Sequence, residues 1–284
     1  MTAKIIDGKK IASDIIADIS KEVTARIKKN LAQPHLAVVL VGDDHASSIY
    51  VKHKQKACKD AGVLSTLHQL PVSTSEKVLL SLINDLNNDK SVNGILVQLP
   101  LPKDVSSEKV LESIDPHKDV DGFHPFNLGK LVQKNPGLRP CTPHGVIQLI
   151  RAIGLDPKGL HAVVVGASNI VGRPMAFELL LASATVTICH RKTQNLAEHV
   201  KQADILVSAV GNPGLIKGDW IKSGAAVFDI GISRLDNGKL CGDIEFNEAS
   251  KRANWITPVP GGVGPMTVAT LMQNTLLATQ LQEL

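Results

Sequence analysis

Aromatic residues are scarce in this chain, 3% of 284. So few ring faces argue against a platform for stacking single-stranded nucleic acid. An excess of one charge sign is lacking too: 31 Lys and Arg against 27 Asp and Glu leave a formal +4. Dispersed along the chain, that balance is too weak for a nucleic-acid footprint, although it suits anionic small molecules. No apolar run reaches the roughly 18 residues of a membrane-spanning helix, because each is broken by Gly, Pro or a charge. The opening MTAKIIDGKKIASD carries charges where the apolar stretch of an export signal would stand, so none is expected. The four cysteines, Cys58, Cys141, Cys189 and Cys241, are far apart. Their spacing fits neither a disulfide framework nor a C-x-x-C metal knuckle, and suits reduced thiols in a cytoplasmic protein. With 43% hydrophobic and 20% charged residues and no low-complexity tract, a folded chain is expected.

What is present alternates between two periods. Residues 9–30 have helical spacing, with Ile11, Ile15, Ile19, Val23 and Ile27 at i, i+4 steps, and LAVVLVG (36–42) is a short apolar run closed by glycine. Residues 46–61 read as helix, 64–70 as extended, 78–89 as helix, and 92–100 as a strand ended by Pro. Unalternated apolar strands between helices predict an α/β fold with parallel strands covered on both faces. A chain of this length is expected to form two domains. Residues 115–145, rich in Pro, Gly, Asp and His with little periodicity, read as a connector that lines a cleft. From about 160 the alternation restarts with HAVVVGAS, a helix near 171–183, TVTIC, ADILVSAVG and AAVFDIGIS. Nothing after 267 looks like a strand, so the helical tail is expected to pack back on a neighbour, the first domain.

HAVVVGASNIVGRP (161–174) runs a strand into Gly166, Ser168 and then Gly172 at a helix start. It is a degenerate dinucleotide fingerprint without the middle glycine, and a plain strand-to-helix turn would read the same way. The next strand ends in His190, Arg191 and Lys192, where an NAD site usually has an acidic residue for the ribose. Cations there fit a 2′-phosphate, best read by the planar fork of Arg191, so NADP is the expected cofactor; a basic strand end facing solvent is the alternative. SAVGNPG (208–214) and DIGISR (229–234) end apolar strands in Gly-rich turns, which offers Ser208, Gly211 and Ile232 to a cofactor through backbone or apolar contact.

Tyr50 and Lys54 lie four apart, on one helix face. A phenol beside an ammonium can bond to it and help set its proton affinity, whereas a surface lysine needs no such partner. Gln98, closing GILVQLPLP, is a polar amide that requires partners if buried. His117, Asp119, Asp121 and His124 invite a metal reading but match no compact ligand motif. Asp side chains capping a turn are the other reading, and no metal is expected.

The stretches YVKHKQKAC, GILVQLPLP, PHKDVDGFHPFNLGKL, PCTPHG, VVVGASNIVGRPM, SAVGNPG, DIGISR and ITPVPGGVGPMT together resemble the bifunctional methylenetetrahydrofolate dehydrogenase and methenyltetrahydrofolate cyclohydrolase family, from about residue 5 to 276. The resemblance implies an N-terminal three-layer α/β folate-binding catalytic domain (1–120 and 265–284, the last helix returning to it), a Rossmann-like NADP-binding domain (140–264), and a connector (121–139) lining the cleft. It implies oxidation of 5,10-methylenetetrahydrofolate by NADP, then hydrolysis of the methenyl product to 10-formyltetrahydrofolate. Lys54 would be the catalytic group, Tyr50 would stack or orient against the pterin, and Gln98 would tune the lysine. Asp121 would hold the pterin edge, and Pro260, Gly261 and Gly262 would form part of the folate wall. Gly166, Ala167, Ser168 and Ile232 match positions that line the NADP site. Ala167 stands where many relatives carry arginine and Arg191 where many carry serine, so the 2′-phosphate is assigned to the second strand. The implied partners are a folate, polyglutamylated forms included, and a second copy in a cytoplasmic homodimer serving one-carbon metabolism and purine biosynthesis, with neither nucleic acid nor membrane. A dehydrogenase without hydrolysis and a nucleotide-sensing scaffold are the rival readings.

Overall fold

The computed structural model describes residues 2–283 apart from Asp236, and leaves the side chains of His45 and Ala46 outside the description. In chain order the elements begin β1 (Lys4–Ile5), α1 (Gly8–Lys28), β2 (His35–Val41), α2 (His45–Ala61), β3 (Leu64–Leu70), α3 (Glu76–Asn88) and β4 (Gly94–Val97). They continue with α4 (Ser107–Glu112), α5 (Pro125–Val132), α6 (Cys141–Ala152), β5 (His161–Val165), α7 (Gly172–Leu181), β6 (Thr185–Cys189), α8 (Leu196–Lys201) and β7 (Ile205–Ser208). Then come β8 (Ala226–Asp229), β9 (Ser233–Arg234), β10 (Leu240–Cys241), α9 (Phe246–Ala249), β11 (Trp255–Ile256) and α10 (Val263–Leu281). The chain divides into two compact units: Ser13–Cys141 with Val268–Leu284, and Met1–Ala12 with Thr142–Thr267.

The unit built on Ser13–Cys141 has a parallel sheet in the order β3-β2-β4, with Val39 opposite both His68 and Val97. The central strand β2 is buried on both faces, which is why LAVVLV shows no alternation. Leu36, Val38 and Leu40 point into one core with Val23 of α1, Val51 and Cys58 of α2, and Leu271, Met272 and Leu276 of α10. Ala37, Val39 and Val41 point into the other, with Leu79 and Ile83 of α3 and Val110 of α4. Each such side chain contributes about 1.5–3 kcal/mol when fully buried. The return of α10 is therefore part of this core. Helix α2 starts where the Asp44 carboxylate accepts the Ser47 N–H and stops at Gly62, in the left-handed region at φ 73°.

The other unit holds a parallel six-stranded sheet in the order β1-β11-β8-β7-β5-β6. Strand order reverses between β5 and β7, the point where a doubly wound sheet opens a crevice at its carboxyl ends. β9 and β10 form a separate antiparallel pair.

Two features depart from the sequence reading. Residues 1–12 were expected in the folate domain, but Lys4 and Ile5 pair with Trp255 and Ile256 and so belong to the six-stranded sheet. A two-residue strand carries too little pattern to assign. The connector expected at 121–139 contains α5 and lies with the three-stranded unit. Helix α5 starts with Pro125 behind His124, whose Nδ1 accepts the Phe126 N–H, and at eight residues it is too short for its period to show.

Candidate functional site

In the three-stranded unit, α2 carries Tyr50 and Lys54 one turn apart, with Val51 and Cys58 anchoring the buried side of the helix. Tyr50 is 43% exposed and Lys54 half-buried. Lys54 Nζ donates to Gln98 Oε1 at 3.0 Å. Among the described residues it makes no bond to Tyr50, so the amide and not the phenol is the lysine's partner. Gln98 is fixed twice: its N–H donates to Val39 O on β2 (2.9 Å) and its Nε2 donates to Leu99 O (2.7 Å). The second bond turns the amide oxygen toward the lysine.

Asp121 lies inside a turn that Asp119 builds. The buried Asp119 carboxylate accepts the N–H groups of Gly122 (3.2 Å) and His124 (2.8 Å) and Asn127 Nδ2 (2.9 Å). Burial raises its carboxyl above the usual range, with these donors pulling the other way. Although part of Asp121 reaches solvent, burial pushes its carboxyl up to about 6, Lys54 pulling it down and Asp119 adding to the rise. Lys54, Gln98 and Asp121 thus form one electrostatic group. Both histidines of this segment have protein partners: His117 Nδ1 meets Asp115 and His124 Nε2 meets the Glu112 carbonyl. No cluster of three metal-ligating side chains occurs among the described residues.

In the six-stranded unit, Gly166, Ala167 and Ser168 form the loop between β5 and α7, at the switch point. Ser168 Oγ accepts from Val171 and Gly172, whereas the N–H groups of Ala167, Ser168 and Asn169 meet no acceptor among the described residues. Amides left open at a helix start suit a diphosphate, so this loop fits a dinucleotide. A Cβ on Gly172 would strike the Gly166 carbonyl, so the last glycine of the degenerate fingerprint allows helix and strand to touch. Arg191 is exposed in the turn after β6, a turn closed by Thr193 Oγ1 accepting from His190 N (2.8 Å). Ile232 is 40% exposed, and Gly211, at φ 73°, is exposed as well. Ser208 is buried: its hydroxyl donates to Asp243 and its carbonyl accepts from Ile230. Pro260, Gly261 and Gly262 lie in the turn between β11 and α10. A Cβ on Gly262 would meet Thr257 and Pro258, so the protein itself already accounts for that glycine.

The sequence reading missed Asp229 and Asp243, two buried carboxylates, one ending β8 and the other just after β10. Their only sequence signal is a polar residue closing an apolar segment, AAVFD and CGD.

Residues 6–121 match the model of the tetrahydrofolate dehydrogenase/cyclohydrolase catalytic domain, and residues 140–283 match the NAD(P)-binding domain of the same family. The bifunctional enzyme FolD, a methylenetetrahydrofolate dehydrogenase/cyclohydrolase from Campylobacter jejuni, is 47% identical, with 98% of this chain and 99% of that one covered at a TM-score of 0.96. The Trypanosoma brucei methylenetetrahydrofolate dehydrogenase-cyclohydrolase, complexed with NADP and an inhibitor, is 38% identical over 99% of this chain and 98% of its own, with a TM-score of 0.95. A bifunctional relative from Thermoplasma acidophilum is 33% identical over 99% of both chains, with a TM-score of 0.92.

Proposed function

This chain belongs to the tetrahydrofolate dehydrogenase/cyclohydrolase family, and from that premise we propose how its residues divide the two reactions, oxidation of 5,10-methylenetetrahydrofolate with NADP and hydrolysis of the methenyl product to 10-formyltetrahydrofolate. The observation that carries the division is the Lys54 to Gln98 hydrogen bond beside Asp121.

NADP, when bound, accepts hydride from the one-carbon unit. The protein's part in that step is alignment. The loop of Gly166, Ala167 and Ser168 would receive the diphosphate on its open amides, and Arg191 would pair with the 2′-phosphate. Gly211 and Ile232 would line the cofactor by backbone and apolar contact, and Ser208 would contribute by anchoring its loop. Hydrolysis asks for proton transfer between water and nitrogen. Lys54 Nζ carries that proton, held in place by Gln98, while Tyr50 orients the pterin. Asp121 holds the pterin's polar edge as a carboxylate. Pro260 and Gly261 form part of the folate wall, with Gly262 keeping their turn tight.

The same reading makes the enzyme a cytoplasmic homodimer in one-carbon metabolism and purine biosynthesis, able to take folates with polyglutamate tails. The four free cysteines support a reducing location. No helix among the described residues is long and apolar enough to cross a membrane.

The test is one cuvette: purified protein, methylenetetrahydrofolate and either NADP or NAD, following the methenyl chromophore as it forms and then decays against an enzyme-free control. Cofactor-dependent formation with accelerated decay is expected. Formation with uncatalysed decay would remove Lys54 from its role.

A further inference from the structure

The loop after β7 borders the switch point and the loop after β8 lies next to it, and two buried carboxylates account for their shape. Asp243 Oδ2 accepts the Ser208 hydroxyl (2.9 Å) and the Val210 N–H (2.8 Å), and its Oδ1 accepts the Asn212 N–H (2.8 Å). One side chain therefore holds alternate residues of a single loop. Asp229, the last residue of β8, holds Asp243 in turn: its Oδ1 accepts the N–H groups of Asp243 and Gly231 (both 3.1 Å), and its Oδ2 that of Ile244 (3.0 Å). Thr257 Oγ1 accepts the Asp229 N–H at 2.8 Å and ties the relay to the segment after β11.

Neither carboxylate forms an ion pair among the described residues. Burial is the main cause that pushes Asp229 up to about 7, with its backbone donors pulling down and Asp243 raising it. Two acidic groups without cations are a costly way to stabilise a core. Their geometry explains them better. Each takes three donors across two oxygens, which an amide with one oxygen cannot do. The packing around them leaves no slack: a Cβ on Gly231 would strike the Asp243 carboxylate, and a Cβ on Gly242 the Asp229 carboxylate.

We propose that Asp243, held by Asp229, is a positioning residue for the cofactor: it fixes the Ser208–Asn212 loop in the form that receives NADP. This rests on the assignment of that edge to NADP. It predicts that the dehydrogenase and hydrolase activities separate, because hydrolysis uses no nicotinamide.

The experiment compares Asp243→Asn with the unaltered enzyme, reading KM for NADP, kcat for both steps and thermal unfolding. The expected result is at least a tenfold rise in KM for NADP, with hydrolysis retained within about twofold. An unchanged KM for NADP, or parallel loss of both activities, would overturn the proposal. Amide hydrogen exchange on the unaltered, cofactor-free enzyme stands apart from the variant's folding. Protected Val210 and Asn212 amides are expected, and exchange at the rate of free chain would sink the clamp. If the unaltered enzyme shows no NADP-dependent oxidation, the functional reading fails instead, whatever the exchange result.

Discussion

Lys54 and Gln98, 44 residues apart in sequence, share a hydrogen bond of 3.0 Å between Nζ and Oε1. An ammonium only donates, so it meets the glutamine at its oxygen, and the bond from the amide nitrogen to the Leu99 carbonyl fixes which way that oxygen points. An amide oriented in this way holds a lysine without neutralising it, as a carboxylate partner would.

Replacing Lys54 by Met removes the proton carrier and keeps the helix. The rate of methenyl hydrolysis is expected to fall by roughly 10²–10⁴, the usual worth of positioned acid–base catalysis. NADP affinity measured by titration should be unchanged, because Lys54 belongs to the folate half. A matching loss of NADP affinity would contradict the division of labour.

Arg191→Ala removes an exposed cation that forms no ion pair among the described residues. A charge-assisted bond to phosphate gives way to water, so KM for NADP is expected to rise by roughly 10- to 100-fold. KM for NAD, which has no 2′-phosphate, should hold. Equal effects on both cofactors would place the phosphate elsewhere.

Asp121 supplies a pH dependence. Its carboxyl, raised to about 6 by burial, is neutral below that value and anionic above it. If the anion holds the pterin, KM for methylenetetrahydrofolate should climb about tenfold per pH unit below 6, and Asp121→Asn should flatten the profile at a weaker affinity. The same shift has a sign for stability. The folded protein keeps a proton that the unfolded chain releases between about pH 4 and 6, so this group's contribution is greatest in acid and is lost as pH rises through that window.

Gly172→Ala tests the close approach of α7 to the Gly166 loop, since the new Cβ would meet the Gly166 carbonyl. Overpacking of this kind costs about 1–3 kcal/mol. A lowered thermal midpoint is expected, with NADP oxidation impaired more than hydrolysis. A midpoint equal to that of the unaltered protein would show that the loop yields freely.

Much of the architecture could be read from spacing alone. Buried parallel strands such as His35–Val41 and Ile205–Ser208 and the long helices repeat a pattern over enough residues to be counted. Tyr50 and Lys54 were legible because a helix places residues four apart on one face, and Gln98 because an amide at the end of an apolar strand asks for a partner. The motifs of the family did the rest. Short elements were not legible: β1 and β11 have two residues each, and their place in the six-stranded sheet comes from pairing between the two ends of the chain.

Other facts exist only once the chain is folded. That Lys54 bonds to Gln98 and not to its helical neighbour Tyr50 depends on where β4 delivers an amide. That Asp119 builds a turn while Asp121 remains with the lysine depends on which N–H groups each carboxylate meets. The Ser208 hydroxyl is spent on Asp243, a residue 35 positions away. Local order along the chain is enough to dictate helices, strands and loop-bound glycines, because those follow from backbone sterics and periodic burial. Partners for buried polar groups are set by long-range packing, and only the tertiary structure decided them.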